Sequence, residues 1–222
     1  MKQTPAHQIV NTDLLALMPT DSRRVIEIGC MHGVLAQAYR QQNTAAEYVG
    51  VDIDQNYARV AEKACTKTIA GDIEMLSPVV FETFFPSDCW VFGDCLEHLR
   101  DPWTLLARIR GRIDRDGCLV ACIPNAQHWS VQMRLTSGNL FYEDSGLLDR
   151  THIRWFTRIS MIKMFLDAGW KIEKAISRVI NSPHQEQQLR AVAAMAETGG
   201  FDPNLAVQDA TPFQYLFKVV LA

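Results

Sequence analysis

Short apolar segments alternate with longer mixed segments along the first half of the chain, and this alternation constrains the fold more than any other feature. The apolar segments are rich in Val and Ile without an apolar/polar alternation, which is typical of parallel strands covered on both faces. Apolar residues at helical spacing fill the segments between them. We therefore predict an α/β fold with a doubly wound, mostly parallel sheet. The predicted strands are residues 23–29, 47–54, 67–73, 89–93 and 118–123.

Two further strands are predicted in the second half, at residues 170–179 and 213–221. The first of them follows a helix that Thr157 caps and that ends at Gly169. Because no obvious crossover helix returns the last strand in parallel, we expect it to enter antiparallel beside the sixth strand. The prediction is a Rossmann-like, seven-stranded α/β/α sandwich in a single domain, which suits 222 residues of which 48% are hydrophobic.

Two long segments interrupt this pattern. Residues 126–156 are rich in aromatic, His and Arg residues, and a loop of that length in a compact domain is usually functional, so we predict a substrate lid. Residues 181–211 form a predicted insertion with an alanine-rich helix around residues 191–196.

Composition and charge argue against several classes of partner. A net charge of -3 gives no basic surplus for nucleic acid, and no Lys/Arg run suggests a membrane surface. No segment approaches the ~18 apolar residues of a membrane span, and residues 1–10 lack the apolar region of a signal peptide. The expectation is a soluble, cytoplasmic protein of open oligomeric state. Its six cysteines are predicted to be buried thiols, and no metal site is predicted.

Glycines and carboxylates collect at the predicted carboxyl ends of the strands, where open α/β sheets bind their ligands. Residues 25–33, Val-Ile-Glu-Ile-Gly-Cys-Met-His-Gly, predict a tight strand-to-helix turn with glycines at both ends. Carboxylates at the other strand ends suit a ribose, an adenine amino group and a cationic ligand, but not a pyrophosphate. The strand-end residues are Glu27, Gly29, Gly33, Asp52, Asp54, Asp72, Gly93, Asp94 and Asn125.

Four sequence blocks that contain these strand-end residues resemble, in order and spacing, those of the class I S-adenosylmethionine-dependent methyltransferases. They are the turn at 25–33, Gly-Val-Asp-Ile-Asp at 50–54, Gly-Asp-Ile-Glu at 71–74 and Phe-Gly-Asp-Cys-Leu-Glu-His-Leu-Arg-Asp-Pro at 92–102. The last strand, Gln-Tyr-Leu-Phe-Lys-Val at 214–219, extends the resemblance over nearly the whole chain. The chain departs from the family at Met31, where a second loop glycine is usual.

The resemblance implies a role for each strand-end residue around S-adenosylmethionine. Gly29 and Gly33 would face the methionine part, with Glu27 orienting the loop or the ammonium group, and Asp52 would bind the ribose hydroxyls. The remaining implied contacts are Asp72 and the Ile73 backbone at the adenine, and Gly93 and Asp94 on the sulfonium side facing the acceptor.

The segments 138–142 and 146–157 also resemble a subgroup associated with O-antigen and cell-surface polysaccharide biosynthesis. This resemblance implies O-methylation of a small acceptor, a sugar or glycan intermediate. Relatives of quinone and amino-acid metabolism share the block at 92–102 and remain an alternative. A nicotinamide-dependent oxidoreductase, whose loop should contain Gly-x-Gly-x-x-Gly, and a non-catalytic cofactor-binding module are further alternatives.

Methyl transfer to a hydroxyl requires a base, and histidine titrates near neutrality. His152 in the predicted lid is the first candidate and His128 the second, whereas His98 is expected to hold a loop in place. Each of the first two could instead be a hydrogen-bonding structural residue. Three lid arginines, Arg134, Arg150 and Arg154, would suit a phosphate or carboxylate on the acceptor.

Other residues are expected to be structural. Asp54 is predicted to cap the second helix, and Glu97 to hold Arg100 or a lid arginine. The lid aromatic residues are expected to form a small second core. They are Trp129, Phe141, Tyr142 and Trp155.

Overall fold

The structure is a computed structural model that describes residues 3–222. It contains one seven-stranded sheet, as predicted. The strands are β1 (Arg24–Ile28), β2 (Glu47–Asp52), β3 (Lys67–Ala70), β4 (Cys89–Gly93), β5 (Cys118–Pro124), β6 (Trp170–Arg178) and β7 (Gln214–Leu221). Their order is β3-β2-β1-β4-β5-β7-β6, in which β7 is antiparallel to both neighbours and the other pairs are parallel. The antiparallel pairing of the last strand with the sixth is therefore confirmed.

Helices lie on both faces of the sheet. They are α1 (Thr12–Leu17), α2 (Val34–Gln42), α3 (Gln55–Ala61), α4 (Pro78–Glu82), α5 (Pro102–Arg110), α6 (Trp129–Ser137), α7 (Arg158–Asp167), α8 (Gln185–Thr198) and α9 (Pro203–Ala210). The winding reverses between β1 and β4, which are neighbours in the sheet. The loops after these two strands therefore meet at the switch point, where ligands bind in folds of this type.

The sheet is covered by apolar layers on both faces, which explains why its central strands are continuously apolar. Consecutive residues of β1 enter opposite layers: Val25 packs with Leu14 and Tyr48, and Ile26 packs in the layer of Trp90 and Phe165. Each such fully buried side chain contributes about 1.5–3 kcal/mol to folding. All six cysteines are buried, as predicted.

The predicted lid is partly helical. Its helix α6 was missed because His128 caps it through an imidazole nitrogen, an atypical cap, although Gly138 ends it in the left-handed conformation (φ 74°). The rest of the lid is fixed to the sheet side by the carbonyl oxygen of Glu97, which accepts from the backbone N–H of Ile153 and of Arg154 at 3.0 and 2.9 Å.

The prediction of an aromatic core beneath the lid is wrong. Phe141 and Tyr142 are 70% and 62% exposed, and Trp155 is 39% exposed. The small apolar cluster of the lid consists instead of Val131, Leu147 and Leu148, with Phe213 packed against it.

Helix α7 follows the lid, and the insertion with its predicted alanine-rich helix follows β6. Helix α7 buries Met161, Met164 and Phe165, whereas Leu166 is 55% exposed. The insertion contains two helices, α8 and α9, that pack against each other. An ion pair of 2.6 Å between Arg158 and Asp209 ties α9 to α7.

The segment before α1 crosses the carboxyl edge of the sheet. Its Thr4 accepts a hydrogen bond of 3.0 Å from the Tyr57 hydroxyl through the backbone oxygen and donates one of 2.8 Å to Asp149 in the lid. Residues 3–11 therefore form a strap between α3 and the lid. Within residues 3–222, no helix is both long and apolar enough to cross a membrane.

Candidate functional site

The turn after β1 follows a path that its glycines and Asp52 determine. Gly29 has a φ of 77°, and its N–H donates to the carbonyl oxygen of Val51 at 2.8 Å. Met31 also adopts a positive φ, 46°, a region that side chains rarely occupy. Its N–H donates to Oδ2 of Asp52 at 2.8 Å, which holds the strained residue in place.

The side chains around Met31 turn away from the turn's open side. Cys30 packs against Gly50 and Cys65 in the core, and the His32 ring lies edge-on to Tyr57 at 5.1 Å. Met31, where the related family has glycine, lines the site, and Cys30 lines it as well.

Gly33 has a different reason for being glycine from the one the resemblance implied. A Cβ at this position would lie 2.9 Å from the Cβ of Ala64 and 3.3 Å from the Cα of Ala61, and the φ is 74°. The space beside Gly33 is thus filled by the α3 region, and the glycine permits that helix to approach.

Asp52 is buried and holds two backbone groups. Besides Met31, its Oδ1 accepts from the N–H of Asp54 at 2.8 Å, and burial raises its pKa. Each carboxylate oxygen keeps a second lone pair for another donor. Asp54 caps α3 by accepting from the N–H of Asn56 and of Tyr57, as predicted.

Asp72 forms an ion pair with Arg100 that no sequence pattern predicted. Its Oδ2 lies 2.6 Å from a guanidinium nitrogen of Arg100, while Oδ1 accepts from the N–H of Glu74. Glu74 in turn accepts from the backbone N–H of Arg100 and of Asp101. Asp72 is therefore already partly neutralised, and the Ile73 side chain beside it is buried.

Two acids flank the switch point, the buried Glu27 and the half-buried Asp94. Glu27 accepts from the Tyr48 hydroxyl at 2.9 Å, and burial raises its pKa to about 8. Asp94 adopts a positive φ of 52° and accepts from the amide of Gln214, and burial raises its pKa to about 6. Both acids therefore bind protons more readily than exposed carboxyls.

Two cavities open at this edge of the sheet and share Thr4, Gly29, Met31, Asp94 and His98. The smaller, of about 400 Å³, is lined by the ends of β2 and β3. The larger, of about 460 Å³, lies between the switch point, the strap and the lid. Residues that line only the smaller cavity include Asp52, Tyr57, Asp72, Ile73, Arg100 and Ile153, and residues that line only the larger include Glu27, Gly93, Asp149, His152, Arg178 and Gln214.

His152 and His98 lie side by side in the lining of the larger cavity. The two rings meet edge-on with centroids 4.8 Å apart. Burial lowers the pKa of both rings and raises that of the adjacent Glu97 well above its usual value. Glu97 is fully buried, so the prediction that it holds Arg100 or a lid arginine is wrong.

His128 occupies a different position. Its Nδ1 accepts from the N–H of Ser130 at the start of α6, its ring packs against Trp129 and Phe213, and it is 3% exposed. Burial lowers its pKa to about 4. This position favours a structural role over the general-base role.

The lid arginines are engaged elsewhere. Arg134 and Arg150 pair with Glu143 and Asp144 at 2.5 and 2.8 Å. The Arg154 guanidinium lies over the Trp103 ring, 5.5 Å from its centroid. These contacts do not support the predicted anion-binding cluster, and Arg178, which does line the larger cavity, is paired with Asp13 at 2.8 Å.

Comparison with known proteins supports one family. Residues 6–175 match a family described as a methyltransferase domain, whereas curated protein sequences give no significant match. Three similar solved structures share the fold at low sequence identity. A possible histamine N-methyltransferase from Thermotoga maritima has a TM-score of 0.62, 14% identity, and coverage of 95% of this chain and 86% of that one.

The other two structures contain S-adenosylhomocysteine. Magnesium protoporphyrin IX methyltransferase from Synechocystis has a TM-score of 0.59 and 14% identity, with 95% of this chain and 80% of that one covered. An O-methyltransferase of a polyketide synthase from Brevibacillus brevis has a TM-score of 0.61 and 15% identity, with 95% and 71% covered.

The chain belongs to the methyltransferase-domain family, since the match spans more than half of its length. It is an S-adenosylmethionine-dependent methyltransferase. The nicotinamide-dependent alternative is therefore not supported.

Sequence reasoning missed three parts of the site: Arg100, the strap at residues 3–11 and the buried carboxylate of Glu97. Arg100 and Glu97 both lie in the block at 92–102, so the block itself could have indicated them. The strap has no periodic sequence pattern that could have predicted it, because it is an extended segment held by individual hydrogen bonds such as those of Thr4.

Proposed function

We propose that this enzyme methylates a hydroxyl oxygen of a small polyhydroxylated acceptor, a sugar or glycan intermediate, in the larger cavity. The observation that carries the proposal is the lining of that cavity by hydrogen-bonding groups of both kinds beside the imidazoles of His98 and His152. A lining that offers both hydrogen-bond donors and acceptors suits a ligand with several hydroxyls. The polar side chains include Thr4, Asn11, Ser145, Asp149, Arg178 and Gln214.

S-adenosylmethionine is proposed to lie across both cavities. Its adenosine would occupy the smaller one, with the ribose hydroxyls on Asp52 and the adenine beside Asp72 and Ile73. The methionine part would follow Gly29 towards Glu27, whose carboxylate suits an ammonium group. The sulfonium would then lie near Gly93 and Asp94, where the two cavities meet.

In the reaction, the chain aligns the acceptor oxygen, the methyl carbon and the sulfur. The acceptor hydroxyl loses its proton, an oxygen lone pair attacks the methyl carbon, and the carbon–sulfur bond breaks with its electron pair left on sulfur. The products are a methyl ether, S-adenosylhomocysteine and one proton. His152 is proposed to act at the acceptor hydroxyl, with the lid and strap excluding water.

Labelled S-adenosylmethionine and a metabolite extract test the acceptor class. The expected labelled product, identified by mass spectrometry, is a methyl ether of a sugar. Label in a quinone or on an amino nitrogen would contradict the proposal and favour the alternative acceptors.

Asp52→Asn tests the cofactor placement. Loss of the carboxylate should weaken S-adenosylhomocysteine binding by about tenfold or more in calorimetric titration, because charge-assisted hydrogen bonds are the stronger ones. Asp54→Asn is the matched control, since asparagine also caps helices well and should keep affinity near the wild-type value. Equal affinities for the two variants would place the ribose elsewhere.

A further inference from the structure

Three side chains with metal-binding atoms converge beside the larger cavity: His98 and His152 line it, and the buried Glu97 lies next to them. Glu97 and His98 lie in the short 3-10 helix Leu96–His98 that follows β4, and His152 comes from the lid. One ligand atom from each residue lies within 4.8 Å of the others. The cluster thus joins the sheet and the lid across the cavity that the acceptor is proposed to enter.

Both histidines form a hydrogen bond through Nδ1, which leaves Nε2 available to bind a metal. Nδ1 of His98 lies 3.1 Å from the carbonyl oxygen of Thr151, and Nδ1 of His152 lies 3.2 Å from that of Leu147. A carbonyl oxygen can only accept, so Nδ1 carries the hydrogen in each ring and Nε2 keeps its lone pair. A backbone carbonyl that fixes the ring in this way is the usual second partner of a metal-binding histidine.

Glu97 provides the independent sign of a missing ligand. The residue is 0% exposed, and neither carboxylate oxygen takes part in a hydrogen bond with any group among residues 3–222. Its Oε1 lies 3.9 Å from Nε2 of His152, too far for a hydrogen bond. Buried carboxylates in proteins are normally paired or coordinate metals.

We propose that Glu97, His98 and His152 together bind one divalent transition-metal ion. Two imidazoles and a carboxylate are a ligand set for Zn²⁺ or Fe²⁺, and they leave coordination positions open for other ligands. Ligand atoms about 2.1 Å from one ion are roughly 3.0–3.4 Å apart, so binding would draw His152 and the lid closer to the sheet.

The role that we assign to this ion rests on the proposed O-methylation and adds a way to activate the acceptor hydroxyl. Because His98 and His152 line the larger cavity, an ion held by them could bind the acceptor hydroxyl through its oxygen, which would lower the pKa of that hydroxyl and let its proton pass to water. The oxygen lone pair then attacks the methyl carbon as the carbon–sulfur bond breaks. His152 would act on the hydroxyl through the ion, whereas without an ion it would have to accept the proton itself.

Co²⁺ is the probe for the test, because its visible absorption reports imidazole and carboxylate coordination. Untagged full-length protein, first treated with a chelator, is titrated with CoCl₂ alone and then with ZnCl₂ as competitor. We expect one Co²⁺ per chain, displaced by Zn²⁺. Glu97→Gln and His152→Asn should each weaken Co²⁺ binding by at least about tenfold.

His184 is exposed and caps helix α8, outside the cluster. His184→Asn is therefore the matched control and should bind Co²⁺ as the wild type does. S-adenosylhomocysteine binding checks that each variant is folded. If the wild type and Glu97→Gln bind Co²⁺ equally weakly while S-adenosylhomocysteine binding persists, the metal site is overturned and the proposed O-methylation stands. Stoichiometric Co²⁺ binding with label transferred only to a nitrogen would support the site and overturn the O-methylation.

Discussion

The cofactor side and the acceptor side of the site are built by different means. On the proposed cofactor side, Asp52 and Asp72 are held by backbone N–H groups and an arginine, in the turns after β2 and β3. On the proposed acceptor side, Glu97 is buried without a hydrogen-bond partner among the described residues. The first side is complete without ligand, whereas the second contains groups that a ligand would satisfy.

This difference assigns distinct tasks to the two sides. A preformed turn binds the same cofactor in every cycle at little conformational cost. In the proposed reaction, the lid has to admit an acceptor and release a product, which requires it to move. Substitutions should therefore affect stability most on the cofactor side.

The largest expected effect is the difference between two glycines with the same φ of 74°. Gly33→Ala places a methyl group 2.9 Å from Ala64, whereas a Cβ at Gly138 has no neighbour within 4 Å among the described residues. The first change should cost about 2–4 kcal/mol, from backbone strain plus overpacking, and the second only about 1–2 kcal/mol. Urea unfolding of both variants measures the difference, and equal losses would show that α3 can move away from the turn.

A smaller effect is expected at Glu27, whose pKa lies near 8 in the free protein. At pH 7 this carboxyl is mostly protonated, and binding an ammonium group in its ionised form would release about 0.9 proton. The affinity for S-adenosylhomocysteine should therefore rise with pH, by up to about tenfold between pH 6 and 7.

Calorimetry in two buffers of different ionisation enthalpy measures that proton. Glu27→Gln, which cannot ionise, is the comparison variant and should bind with a flatter pH dependence. If wild type and variant release the same number of protons, Glu27 does not contact the ammonium group.

The sequence predicted the cofactor side much better than the acceptor side, and the physical reason is the range of the interactions. The strand pattern and the Asp54 cap depend on residues close in sequence, and both were found in the structure. The exposure of Phe141 and Tyr142 depends on packing between distant segments, which no local pattern records. The proximity of His152 to Glu97 and His98 likewise involves residues far apart in the chain.

The smallest expected effect tests whether the lid arginines contribute to acceptor binding. Arg134 and Arg150 are 40% and 52% exposed and paired within the lid, so alanine at either position should change stability by no more than about 0.5 kcal/mol. Because their partners already neutralise them, the KM for the acceptor should also stay within about twofold of wild type. Arg178→Ala is the contrasting variant, since Arg178 lines the larger cavity and holds Asp13. A large rise in acceptor KM for Arg134→Ala or Arg150→Ala, with kcat unchanged, would show that these ion pairs open when an anionic acceptor binds, and that the lid rearranges more than the free structure requires.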